Sequence, residues 1–254
     1  MQPQLLISIA LIASLLAIGF GLYLRWGTRW GSTSSERASQ MPGDAYLRGG
    51  PRARVAMTRA VSIRAQPETV WPWLAQLGRG AGWYSVDRLD NGGKVSAQHI
   101  VSWIPAPRRG DASAIGYLRR IEPGRALTWW VNEVELAGSA ARLVTDIQLS
   151  EAGEGSRLVI RMSADAQGPT ALIALLVFMF IDSIMARKQL KEIKHRVESY
   201  GARTANPAKP ETGALDQYQL YEVIYASGEK AGAPGKELAA RWRQTAVEDR
   251  VLEV

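Results

Sequence analysis

Hydrophobic and polar positions divide the chain into regions of different character, and the first is strongly apolar. Leu5 to Leu24 carries no charge over about twenty positions, which at roughly 1.5 Å per residue is enough to cross the ~30 Å hydrocarbon layer of a bilayer. Tyr23, Trp26 and Trp30 then supply an interfacial aromatic belt. The pattern predicts a transmembrane anchor within residues 1–25. A cleavable signal peptide is the alternative, but it lacks a preceding basic residue and a following small-residue cleavage site.

The next region has no apolar periodicity. It is rich in Gly, Ser and Thr, which predicts a basic juxtamembrane linker over residues 26–54. We expect the folded domain at 55–201. A linker and a C-terminal tail follow at 202–254, with weak helical elements around 215–225 and 236–251.

The folded domain begins with the two-residue alternation of a half-buried strand, in MTRAVSIRA (57–65). Apolar residues at helical spacing follow in PETVWPWLAQL (67–77), which predicts a helix that the glycines at 78, 80 and 82 end. Runs rich in β-formers between turn signals predict further strands at 114–121, 127–134, 142–149 and 156–163, with 95–103 as one more candidate.

A long helix is predicted from Pro169 to Tyr200, with Gly201 as its C-terminal cap. Its second half carries an apolar stripe, with charged residues facing away. Its first half, Ala171 to Ile181, is apolar on all sides, a length that is typical of a buried core helix. A position over a hydrophobic cavity or in the membrane interface is the alternative, and it does not exclude burial.

Charge placement predicts an orientation. The chain has a formal net charge of +7, and six arginines lie between Arg25 and Arg54 against only Glu36 and Asp44. No Lys or Arg precedes the apolar run, so the positive-inside rule places the domain on the cytoplasmic side of the inner membrane, as a single-pass protein. The basic stretch beside the anchor favours contact with anionic headgroups over nucleic acid.

Composition excludes several chemistries. The chain has no cysteine, which excludes disulfides, thiolate metal sites and cysteine nucleophiles. His99 and His195 lie far apart, so we expect no metal site. The GRGAG turn has the wrong glycine spacing for a dinucleotide or phosphate loop, and no cofactor is expected.

The order of these elements is similar to the helix-grip fold of the START-like (SRPBCC) superfamily, which includes polyketide cyclase/dehydratase and lipid-transport proteins. The chain resembles its bacterial membrane-associated branch, over about 55–201. The resemblance implies an α+β fold, in which a curved antiparallel sheet grips the long C-terminal helix around an apolar cavity. The residues that carry it are TRAVSIRA, PETVWPWLAQLG, GWYSVDRLDN, RRIEPGRALTW, SRLVIRM and MARKQLKEIKHRVE.

The resemblance also implies which side chains face the cavity. The glycine-rich turn would let a second short helix, WYSVDRLDN, move as a lid. On the candidate strands, strict alternation turns the selected side chains inward, and only one of two adjacent tryptophans can line the cavity. The candidate ligand-cavity residues are Trp83, Tyr84, Asp87, His99, Tyr117, Arg119 and Trp129. Core packing for the aromatic residues, capping for the aspartate and solvent exposure for the arginine are the alternatives.

Three functions follow from the fold that the resemblance implies. The first is a membrane-anchored binding or carrier protein for a hydrophobic small molecule or lipid. The second is a cyclase- or dehydratase-type enzyme that acts on an apolar carbonyl compound, with catalytic residues that the sequence does not identify. The third is a structural or regulatory membrane protein that contacts partners through its tail. The sequence indicates no oligomeric state.

Overall fold

The computed structural model describes residues 3–48, 53–113, 116–136 and 138–204. The predicted tail elements at 215–225 and 236–251 lie outside these residues. The first helix, α1 (Pro3–Gly27), is long and apolar enough to cross a membrane, with a mean hydropathy of 2.6 in its most apolar window. Its side chains are exposed over almost its whole length.

The core of the fold is one antiparallel sheet in the order β1-β6-β5-β4-β3-β2, in which the first strand pairs with the last. Its central strands correspond to the four predicted between residues 114 and 163; β4, β5 and β6 extend beyond the predicted bounds, whereas β3 begins at Gly116 and ends at Glu122. The strands are β1 (Ala53–Ile63), β2 (Ala112–Ser113), β3 (Gly116–Glu122), β4 (Ala126–Leu136), β5 (Ser139–Ala152) and β6 (Gly155–Gln167).

The prediction of a strand at 95–103 is wrong, because this segment is a loop. Its backbone is held by groups outside any strand ladder. The Ala97 N–H donates to the Ala81 carbonyl at 2.8 Å, and the Val101 N–H donates to the Gln76 side-chain oxygen at 2.9 Å. The backbone of this run is therefore satisfied as a loop, by hydrogen bonds to the segment that contains Gln76 and Ala81.

Three helices complete the domain: α3 (Pro67–Ala75), the single-turn α4 (Asp87–Asp90) and α5 (Ala171–Thr204). The long helix α5 lies on the inner face of the sheet, mainly across β1 and β6. α3 closes one end of the same face. The structure therefore confirms the α+β helix-grip fold.

The segment predicted as a linker instead packs on the outer face of the sheet. Between α1 and β1 it forms α2 (Ser34–Ala38) and a 3-10 helix (Pro42–Leu47). Arg161 of β6 donates to the backbone carbonyls of Glu36, Arg37 and Ser39 at 2.7–3.0 Å. These contacts are polar and distant in sequence, so apolar periodicity does not reveal them.

This outer segment also covers the free edge of β1. The Ala60 N–H donates to the Trp30 carbonyl at 3.1 Å, which satisfies a backbone group that an edge strand otherwise exposes. Gly31 has a φ of +70°, and a Cβ there would lie 2.1 Å from the Ala60 carbonyl oxygen. The close approach therefore requires glycine.

Candidate functional site

The interior between the sheet and the second half of α5 is filled by aromatic side chains. Trp83 meets Trp129 edge to face with 5.6 Å between the ring centroids, and Trp73 meets Tyr84 in the same way at 6.0 Å. All four side chains are buried. Trp83, Tyr84 and Trp129 thus face the interior, where they form the core together with Leu190 and other residues of α5.

The segment predicted to move as a lid is fastened to α5. The Ser85 hydroxyl donates to the Met185 carbonyl at 2.9 Å, and the Gln189 amide donates to the Trp83 carbonyl at the same distance. Tyr84 has a φ of 55°, and the Arg196 guanidinium lies 4.7 Å from its ring centroid. A non-glycine residue holds such a backbone only where its surroundings fix it.

Asp87 and His99 take part in the hydrogen bonds that hold this part of the chain in place, and they do not line an open cavity. The Asp87 carboxylate accepts from the Ser96 hydroxyl at 2.6 Å, which closes the loop after α4. The His99 carbonyl accepts from the Gln76 amide at 3.1 Å, and its side chain is half-buried. The Asp87 carboxylate therefore fixes Ser96, and it does not cap α4, whose N-cap residue is Val86.

Tyr117 and Arg119 lie on the outer face, contrary to the sequence prediction. Tyr117 packs with Leu47 and Trp130, and the Arg119 guanidinium lies 5.5 Å from the Tyr46 ring centroid. The strand register shifts between residues 118 and 120. Such a β-bulge reverses which alternate positions face inward, so alternation counted back from residue 121 places both side chains on the wrong face.

The first half of α5 exposes a broad apolar face. It buries Ala171, Ala174 and Leu175 toward the sheet, with Phe178 partly packed beside them, while most of its other side chains are exposed. Seven large apolar side chains on this helix are exposed, far more than isolated surface residues of a soluble domain need. We call them the apolar face of α5: Leu172, Ile173, Leu176, Val177, Phe180, Ile181 and Ile184.

The end of α1 packs directly against this face. Phe180 contacts Phe20 and Tyr23, with ring centroids 5.8 and 5.5 Å apart. A Cβ on Gly27 would lie 2.7 Å from the Cβ of Ser183, so the two helices touch closely at that point. The exposed apolar surfaces of α1 and α5 are therefore continuous.

Both helices change from apolar to basic at the same level. On α1 the change comes at Arg25, after Leu24, and on α5 it comes at Arg187. The Arg187 guanidinium lies 4.8 Å from the Trp26 ring centroid and 5.7 Å from that of Trp30, which joins the two boundaries by cation–π contacts. This aromatic and cationic belt has the composition of a membrane interface.

A buried ion pair fixes α5 to the sheet and to α1. Arg59 of β1 is fully buried, and its guanidinium donates to the Asp182 carboxylate at 2.5 Å and to the Gly27 carbonyl at 2.8 Å. The sequence analysis missed this pair. Its signal was an arginine on the apolar side of the first strand, together with a lone aspartate that ends the apolar run of the long helix.

Beside the first half of α5, the inner face of the sheet is only partly covered. Since α5 lies mainly across β1 and β6, the inner side chains of β4 and β5 at this end are covered only in part, by the cluster that contains Ala171 and Leu175 of α5. Cross-strand pairing of Val131 with Leu143 and of Leu143 with Ala164 places them on the inner face. We call these partly exposed residues the open strip: Val131, Val134, Leu143 and Met162.

A second polar centre lies on the outer face, at Asp146. Its carboxylate accepts from the Gly43 N–H at 3.0 Å and from the Thr128 hydroxyl at 2.7 Å. Burial raises the pKa of Asp146 to about 6, against the hydrogen bonds that favour its ionised form. The residue thus joins the outer segment to the sheet, on the face opposite the aromatic interior.

Among the described residues, no cluster of His, Asp and Glu has the arrangement of a metal site. The polar candidates do not converge either, because Asp87 begins α4 and His99 lies in the loop after it, while Tyr117 and Arg119 lie on the opposite face of the sheet. Within the part of the chain that the structure describes, these candidates form no common polar site, whereas apolar surface is available for binding.

No protein-family model and no curated protein matches the chain. Similar solved structures include protein CV1439 from Chromobacterium violaceum, at 18% identity over 56% of this chain and 96% of that one, with a TM-score of 0.36. The di-domain ARO/CYC StfQ of the steffimycin biosynthetic pathway has 10% identity over 59% and 52%, with a TM-score of 0.39. Ara h 8.0201 has 12% identity over 58% and 98%, with a TM-score of 0.30. Scores this low carry no argument about function, and the helix-grip fold of this chain follows from its own strand order and from α5.

Proposed function

We propose that this protein is a membrane-anchored binding protein for a hydrophobic small molecule or lipid, and that its ligand lies between the apolar face of α5 and the open strip. The observation that carries the proposal is the apolar face itself, with its large side chains exposed beside α1. Water contact with so much apolar surface is unfavourable by about 25 cal/mol per Å², so a lipid environment or a ligand stabilises it.

The packed interior determines where a ligand binds. The centre of the fold is occupied by Trp83, Tyr84 and Trp129, so we place the ligand at the opposite end, near Leu143. There the sheet presents apolar side chains that are only half covered. The positive-inside argument further places the domain on the cytoplasmic side of the inner membrane.

Spin labels test the membrane side of the proposal. Because the chain has no cysteine, single-cysteine variants carry one label each. In nanodiscs, labels at L172C and L176C should be relaxed efficiently by collision with oxygen and only weakly by a water-soluble nickel chelate. A label at K188C, which is exposed on the basic half of α5, should show the opposite. Equal nickel access at all three positions would contradict a lipid-facing α5.

Native mass spectrometry tests ligand binding. Full-length protein released from nanodiscs should retain a hydrophobic adduct, and L143Q should lose it because a polar amide then projects into the open strip. The matched control is L89Q, since Leu89 is 68% exposed on α4 and remote from the strip. Absence of an adduct on the wild type, or equal loss in both variants, would remove the case for binding at this strip.

A further inference from the structure

The outer face holds a pocket that the hydrophobic ligand does not use. Its volume is about 380 Å³, and it lies between the outer segment and the strands β1 and β6. Among its lining residues, four arginines face one aspartate, which gives the walls a formal charge of +3. The charged members are Arg37, Arg48, Arg54, Arg161 and Asp44.

Two of these arginines have capacity for a ligand. Arg161 is committed to the outer segment and to Asp44, which lies 3.0 Å from its guanidinium. Arg37 donates to Ser32 and Ser34, which are neutral. The guanidinium groups of Arg48 and Arg54 are exposed, and no residue within the described ranges pairs with them.

A buried hydroxyl marks the floor of the pocket. Ser163 lines the pocket and is only 2% exposed, and its hydroxyl has no hydrogen-bond partner among the described residues. A buried polar group without a partner costs free energy, so such groups are usually satisfied by a bound species. The other neutral lining groups, Ser39 and Gln40, also carry hydrogen-bonding atoms.

The chemistry of the pocket fits a phosphate group. Guanidinium groups bind phosphate oxygens through charge-assisted, often bidentate hydrogen bonds, and a serine hydroxyl can donate to a third oxygen. The pocket also lies at the end of the sheet that carries the apolar face, because Val55, next to Arg54, packs in the cluster beneath the first half of α5. A phosphate group on a lipid could therefore approach it from the surface beside α1.

We infer that this pocket is an anion site for a phosphate-bearing ligand, held by Arg48, Arg54 and the Ser163 hydroxyl. The ligand is a phosphate-containing lipid headgroup or free phosphate. The inference does not depend on the hydrophobic ligand, since its residues lie on the other face of the sheet from the open strip.

The test uses full-length protein in a neutral detergent at constant ionic strength, titrated calorimetrically with inorganic phosphate. Wild type should bind it saturably, and R54Q should bind it at least about 10-fold more weakly because a charge-assisted contact is lost. The matched control R125Q removes one exposed arginine from the turn between β3 and β4, at a distance from the pocket, and should leave the affinity unchanged.

A second variant separates binding from folding. S163A should weaken phosphate binding by about 3-fold or more, while the melting temperature stays level or rises, because an unsatisfied buried hydroxyl is removed. A purely structural serine would lower the melting temperature and leave phosphate binding intact. That result, or an equal effect of R54Q and R125Q, or no saturable binding of phosphate or lipid by the wild type, would overturn the assignment.

A lipid arm distinguishes the sources of the phosphate. Phosphatidic acid in mixed micelles should displace inorganic phosphate from the wild type, whereas phosphatidylcholine should displace it weakly, if the ligand is an anionic headgroup. Displacement by neither lipid, with intact phosphate binding, identifies free phosphate as the ligand. Either result supports the anion site, provided that R54Q weakens the binding.

Discussion

The two halves of α5 are continuous in one helix but have opposite surroundings. In the second half, Leu190 and Ile193 are fully buried in the aromatic core, and Lys188 and Lys191 are exposed to water. In the first half, Leu176 is 45% exposed, and the other large apolar side chains on the same face are exposed as well. One half thus matches a water-soluble domain and the other matches a surface that water does not cover.

The boundary between the halves lies at the buried pair of Arg59 and Asp182. It coincides with the end of α1, since Arg59 also binds the Gly27 carbonyl. The sheet, the end of α1 and the change in α5 therefore meet at one level of the molecule. Substitutions on either side of this level test the correspondence.

The largest effect is expected at the boundary itself. R59A leaves the Asp182 carboxylate buried without its partner, and it should lower the free energy of unfolding by about 3–5 kcal/mol. Chemical denaturation in a mild detergent measures this. The double variant R59M/D182L removes both charges, and it should recover most of the loss. If the double variant is no more stable than R59A, the pair is not the source of the effect.

A matched pair of truncations compares the halves directly. L190A should lower the free energy of unfolding by about 2–5 kcal/mol, because Leu190 is fully buried. L176A, from the exposed face, should cost less than about 0.5 kcal/mol in detergent. Circular dichroism during denaturation gives both values. Equal losses would mean that the first half is packed as tightly as the second.

The outer face should respond to pH without changing either half of α5. Because the pKa of Asp146, about 6, lies above its ordinary value of 3.8, the folded protein binds this proton more tightly than the unfolded chain. Its contribution to the free energy of unfolding is therefore full below pH 4 and is lost as the pH rises through 6. The change is about 2–3 kcal/mol.

D146N isolates this contribution from those of other titrating groups. The difference in stability between wild type and D146N should vary between pH 4 and 7 and stay constant above pH 7, as measured by denaturation at each pH. The spin-label contrast along α5 should be the same in both proteins. A difference that does not vary with pH would refute the raised pKa.

The smallest effect is expected where the belt joins the helices. R187Q removes the cation from the faces of Trp26 and Trp30 and should cost about 0.5–1 kcal/mol, whereas R187K should retain part of it. Thermal unfolding in nanodiscs can resolve this difference. Identical stabilities of R187Q and wild type would show that the aromatic contact does not contribute.

Local patterns predicted most of the fold, since alternation and helical spacing depend only on neighbouring residues. They located the long apolar helix α1, the strands after residue 114 and α5, and they left the environment of Ala171 to Ile181 open. They failed at Tyr117 and Arg119, where a single inserted residue reverses the faces of the strand.

The candidate site was less predictable because its contacts join distant residues. Arg59 meets Asp182 across 123 positions, and Gly43 meets Asp146 across 103. Composition alone made the segment before β1 look like a free linker, although Arg157 and Arg161 bind it to the sheet. Trp83, Tyr84 and Trp129 face inward as predicted. Whether such side chains line a space or fill it depends on their volume, which local patterns do not report.

The close contact of Gly27 with Ser183 leaves no flexible connection between the end of α1 and the domain at this point. A protein that carries a ligand between two membranes needs a flexible attachment, whereas here the attachment is rigid at its first residues. Under the proposed function, cargo would be exchanged only with the leaflet in which α1 ends. The protein would then act at one membrane and would not carry its ligand to another.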